Sequence, residues 1–232
     1  MSPKEASGTL ALIGGGEWRD GCRDFDADLL ARAGDEVVVL PTAAAFEHPD
    51  RVVDRAARYF SALGASVRSL SVLRRADAED RANVAGVQGA SFVYIADGSP
   101  LHLRSALKDS ALFDAIVTAY RKGAVLAASG AGATVVCDPM VDPRGGAYTV
   151  GLGVVRDLAI FPYHGTAADH LRERSIDLLP RTATLVGLDE QTALIREPDV
   201  TWRVAGAGVV TLYDGRQTTV VEHGSKVERI SI

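Results

Sequence analysis

Residues 123–136, Gly-Ala-Val-Leu-Ala-Ala-Ser-Gly-Ala-Gly-Ala-Thr-Val-Val, decide how this chain folds. The apolar run Ala124 to Ala128 predicts a buried parallel strand, and the run Ala133 to Val136 starts a helix. Between them, Ser129 to Ala133 are all small, which lets two backbones pass close together at a sharp turn. Strand, tight turn and helix make a nucleophile elbow, in which one side chain is held at a strained corner over a helix N-terminus. The apex falls on Gly130, which carries no nucleophile. The corner is written into the sequence, but the group that should stand on it is not.

Upstream, the same alternation of strand and helix repeats. Thr9 to Ile13 is a strand followed by Gly14-Gly15-Gly16-Glu17, whose glycines either admit a ligand or make a tight strand exit; their spacing is not a dinucleotide fingerprint. Phe25 to Ala33 is a helix stopped by Gly34, Glu36 to Leu40 a strand ending in Pro41-Thr42, and Arg51 to Leu63 an amphipathic helix. Strand Ser66 to Leu70, helix Asp77 to Val87 and strand Ser91 to Ile95 follow. The last ends in Asp97-Gly98-Ser99-Pro100, with Ser99 an N-cap and Pro100 a first helical residue. Helix Ala111 to Tyr120 leads into the elbow strand. These units predict an α/β fold with a mostly parallel central sheet and helices on both faces. Function then belongs at the carboxyl ends of the strands: Gly14 to Glu17, Pro41-Thr42, Asp97 to Ser99 and the elbow.

Downstream, Cys137 to Val155 is a Gly- and Pro-rich connection. Strand Asp157 to Phe161 closes on Pro162-Tyr163-His164-Gly165, and Thr166 with Asp169 has capping-box spacing for a helix through Leu179. From Thr184 onward, short strands separated by Gly, Pro and Asp-Gly signals predict a C-terminal antiparallel β extension of the same single domain.

Composition narrows the function classes. The chain has 232 residues, 47% of them apolar, and a formal charge of -5 without a basic run, which argues against a nucleic-acid partner. No stretch reaches the roughly 18 apolar residues of a membrane span. Cys22 and Cys137, its two cysteines, lack metal-ligand spacing and suit buried positions in a cytoplasmic protein. No metal or organic cofactor is expected.

The order of motifs, from Gly14-Gly15-Gly16-Glu17 to Gly187-Leu188-Asp189-Glu190-Gln191-Thr192-Ala193-Leu194, resembles peptidase family S51, the cyanophycinase and dipeptidase E group. The runs Gly98-Ser99-Pro100-Leu101-His102-Leu103-Arg104-Ser105 and Asp138-Pro139-Met140-Val141-Asp142-Pro143-Arg144-Gly145-Gly146 are the most specific. The resemblance implies a class I glutamine amidotransferase-like fold and a serine hydrolase of peptides at acidic residues. It places the nucleophile position on Gly130, with Ser129 one residue before, and the histidine position on Tyr163, with His164 one residue after. Asp97 stands where a glycine beside the oxyanion is usual, and no third acid can be matched among Asp138 and Asp142.

A serine hydrolase needs an activated hydroxyl, a base in reach and donors facing the oxyanion. Two expectations follow. In the first, the chain is a pseudoenzyme that binds a small acidic molecule, a peptide or a protein partner. The candidate ligand-binding residues are Gly15, Gly16, Asp97, Gly98, Ser99, Gly130, Ala131, Tyr163, Asp189 and Glu190. In the second, Ser129 and His164 form a rewired catalytic pair. Against this pair, Ser129 reads as a turn hydroxyl and His164 as a pocket-lining or capping side chain. Arg172 and Arg174, on the next helix, suit either an acidic ligand or a solvated face. A homodimer whose pocket is vestigial is a third possibility.

Overall fold

The computed structural model describes residues 8–214, 217–227 and 230. In chain order its elements are β1 (Leu10–Ile13), α1 (Arg23–Ala33), β2 (Glu36–Leu40), α2 (Pro49–Ser61), β3 (Ser66–Ser69), α3 (Arg75–Ala78), α4 (Arg81–Val87), β4 (Phe92–Ile95), α5 (Pro100–Leu107), α6 (Ala111–Arg121), β5 (Val125–Ser129) and α7 (Ala131–Val136). Four two-residue strands follow, β6 (Cys137–Asp138), β7 (Met140–Val141), β8 (Tyr148–Thr149) and β9 (Val155–Arg156), then β10 (Leu158–Phe161) and α8 (Asp169–Asp177). The chain ends with β11 (Thr184–Leu188), β12 (Thr192–Arg196), β13 (Trp202–Gly206), β14 (Val210–Asp214), β15 (Gln217–Val221) and β16 (Lys226–Val227).

The main sheet runs β16-β13-β12-β1-β5-β4-β2-β3. The five strands from β1 to β3 are parallel, and β12, β13 and β16 join antiparallel beyond β1. Successive side chains along these strands go to opposite faces. Leu10, Leu12, Val38 and Leu40 pack into one core, while Ala11, Ile13, Val37 and Val39 pack into the other. Both faces are therefore buried, which is why the parallel strands read as continuous apolar runs. Side chains cap the starts of α6 and α4: the Ser110 hydroxyl accepts from Phe113 N at 3.1 Å, and Asp80 from Ala82 N at 2.8 Å.

Several boundaries differ from the sequence expectation. The stretch Asp77 to Val87 is two helices, because Asp80 caps a second start. The capping box of Thr166 and Asp169 does not form: Ala168 is the N-cap of α8 without a side-chain bond, and Thr166 Oγ1 donates to the Tyr163 carbonyl. The C-terminal strands divide between two sheets. β12 and β13 extend the main sheet, whereas β11, β14 and β15 form a second sheet with β10. That second sheet holds one side of the site in place.

Candidate functional site

The elbow forms as its sequence demands. Gly130 sits between β5 and α7 at φ 49°, ψ -107°, a conformation that costs any other residue strain. Its N–H donates to the Ile13 carbonyl, and its carbonyl accepts from Thr134 N, so the corner is fixed from both sides. A Cβ built on Gly130 would overlap the Asp97 carboxylate. The space above the apex is thus filled from the neighbouring strand end, by the loop after β4.

Asp97 is bound there by backbone donors. Its Oδ1 accepts from Gly98 N at 2.7 Å and from Ala131 N at 2.6 Å. The residue after the apex and a second loop N–H are the donors from which an elbow hydrolase builds its oxyanion hole. In this chain the Asp97 side chain occupies both. Its other oxygen, Oδ2, accepts from the Tyr163 hydroxyl. Burial, followed by the Asp97 charge, pushes the Tyr163 phenol well above its ordinary pKa, so it remains the proton donor of this bond.

Tyr163 itself is held at φ 55° by its N–H on the Gly14 carbonyl, and its ring lies over Gly15, where a Cβ would collide with it. Here the glycines after β1 serve close approach of a protein side chain. Gly98 does the same for the backbone: at φ 146°, its Cβ would overlap the Ala43 carbonyl, and Ser99 N donates to that carbonyl at 2.8 Å.

The sequence-predicted pair is not brought together. Ser129 is fully buried and donates to Glu17 Oε2 at 3.0 Å. His164 points to the second sheet, with Nε2 2.8 Å from the Tyr213 hydroxyl and Nδ1 3.7 Å from Asp189 Oδ1. Burial lowers its pKa, against the opposing pull of Asp189. The reason is strand geometry: a residue one step from the apex projects to the other face. Asp189 also accepts from Val209 N, and Glu190 lies 3.9 Å from Arg19 and bonds Thr166, so these two brace loops at the rim. Arg172 is taken by Asp169 and the His164 carbonyl.

Glu17 is the functional-looking residue that sequence reasoning did not single out. Only 4% exposed, it accepts from Ser129 and pairs at 3.2 Å with Arg55, whose guanidinium lies over the Trp18 ring. Burial, then the Asp97 charge, raises its pKa. Its place directly after three glycines was the available signal.

Two cavities, of about 240 and 230 Å³, meet at Asp97, Gly98 and Tyr163. Among the described residues, no group of three or more His, Cys, Asp or Glu is arranged to hold a metal, and no helix is long and apolar enough to cross a membrane. Cys22 and Cys137 are buried free thiols.

Comparison with known proteins agrees with this architecture. The model of Peptidase family S51 matches residues 10–201. A cyanophycinase of Nostoc sp. is 26% identical over 94% of this chain and 77% of its own length; one from Geminocystis herdmanii is 26% identical over 81% and 72%. The crystal structure of a peptidase from an acI-B1 actinobacterium superposes with a TM-score of 0.87 at 26% identity, over 97% of this chain and 98% of that one. A putative peptidase E of Listeria monocytogenes shares the fold with a TM-score of 0.64 at 14% identity, over 93% and 98%. On the match of the family model across most of its length, the chain belongs to peptidase family S51.

Proposed function

We propose that this chain is a non-hydrolytic member of its family, a protein that retains the cleft at the strand ends and binds a small molecule in it. One observation carries the proposal: the Asp97 carboxylate fills the position above Gly130 and engages the N–H groups of Gly98 and Ala131. Acyl transfer needs a nucleophile at that apex and free donors for the developing negative charge. A fixed carboxylate there supplies neither and repels an oxyanion. The buried Ser129 bonds the Glu17 carboxyl while His164 bonds Tyr213, so the serine is no substitute.

The test is incubation with dipeptides beginning or ending in Asp and with a fluorophosphonate probe. No release of amino acid and no labelling are expected. Labelling that disappears in Ser129→Ala would establish the rewired serine hydrolase and sink the proposal.

A further inference from the structure

We propose that the ligand of this cleft is an amphipathic ammonium compound, with its cationic group against Asp97 and its apolar body in the adjoining cavity. This rests on the non-hydrolytic function proposed above and names the class of molecule bound. The first support is the state of Asp97. Three hydrogen-bond donors hold it, two N–H groups and a phenol, and among the described residues no Lys, Arg or His comes within ion-pair distance of it. Half-buried and held only by neutral donors, Asp97 stands on the wall where the two cavities meet.

The cavities differ in kind. One is lined by Pro100, Val141, Pro143, Phe161 and Leu171, and no Lys, Arg or His lines it. Its other acid, Asp142, is engaged by Arg144 at 2.6 Å. In the other cavity the two cations, Arg19 and Arg55, are matched by Glu190 and Glu17. Glu47 lies on that wall as well, with no cation in ion-pair distance among the described residues. In the apolar cavity a ligand carboxylate would face Asp97 with no cation on the wall to receive it. An ammonium group would meet a carboxylate that no cation pairs, and its apolar portion would find an apolar wall alongside.

Isothermal titration of the full chain with 2-phenylethylamine, 2-phenylethanol and 3-phenylpropionate tests this, since the three share a body and differ in charge. The amine is expected to bind at least ten-fold tighter than the alcohol or the acid, and to weaken as salt is raised. Asp97→Asn, checked for folding by near-UV circular dichroism, is expected to lose at least ten-fold in amine affinity. If that variant does not fold, Ala167→Leu, which narrows the apolar cavity and leaves Asp97 untouched, is expected to weaken the amine. Binding of none of the three, equal or tighter binding of the acid, or full amine affinity in the folded variant would overturn the inference. Each of these outcomes, without hydrolysis or probe labelling, would leave the non-hydrolytic function standing; labelling dependent on Ser129 would sink that function whichever compound binds.

Discussion

The filled elbow makes a quantitative prediction about Gly130 and Asp97. In Gly130→Ala, the new Cβ enters a φ 49° conformation, at a strain of about 1–3 kcal/mol. The same atom overlaps the Asp97 carboxylate, which must then leave Gly98 N and Ala131 N. Hydrogen bonds to a charged group contribute about 1.5–3 kcal/mol each, and part of this returns as the expelled carboxylate is rehydrated. In Asp97→Ala these bonds and the obstruction are both gone, so adding Gly130→Ala should cost only the backbone strain. The double mutant should therefore be more stable than the sum of the single effects by about 1.5–3 kcal/mol. Urea unfolding of the wild type, both single variants and the double variant completes the cycle. Additivity within about 0.5 kcal/mol would refute the placement of Asp97 over the apex.

Three further outcomes follow. Tyr163→Phe removes the phenol from Asp97 Oδ2 and should lower stability by about 1–3 kcal/mol, read from the shift in urea midpoint; an unchanged midpoint would show that the bond contributes nothing. Gly15→Ala places a methyl in the Tyr163 ring at φ 102°, so it should destabilise the wild type much more than it does Tyr163→Ala, by the same measurement. Asp26, fully buried, has its pKa pushed up to about 8 by burial, against the Tyr59 hydroxyl that bonds it at 2.9 Å. Since the unfolded carboxyl titrates near about 4, the native state holds the extra proton between these values. Stability should thus fall as pH rises from about 4 to about 8, by up to about 1.4 kcal/mol per unit, and then level off. Asp26→Asn should lack that slope, and parallel unfolding profiles for the two proteins between pH 5 and 9 would refute it.

What could be foreseen in the sequence divides along the range of the interactions. The parallel sheet was legible because each strand is buried on both faces, so Leu10–Ile13 and Val125–Ser129 carry their environment in their own composition. The elbow was legible because only small residues survive that turn. Local signals failed where a competing bond was closer to hand, as at Thr166, whose hydroxyl turns back to the Tyr163 carbonyl and leaves α8 uncapped. They failed again in the C-terminal strands, where identical hairpin signals cannot say which sheet receives a strand.

The site itself is assembled from distant pieces. Ser129 and Glu17 stand 112 positions apart, Asp97 and Tyr163 66 apart, and no spacing in the chain announces either pair. Three residues nonetheless fit together at the apex. Gly130 carries no side chain at the apex, Asp97 occupies the space its Cβ would need, and Tyr163 donates to that carboxylate. Each alone would be unfavourable: an unfilled corner, a carboxylate pressed against a side chain, a buried phenol without an acceptor. Together they satisfy one another. The carboxylate of Asp97 thus takes its donors from three separate parts of the chain, the loop after β4, the start of α7 and the turn after β10, and a substitution at any one of them should be felt at the other two.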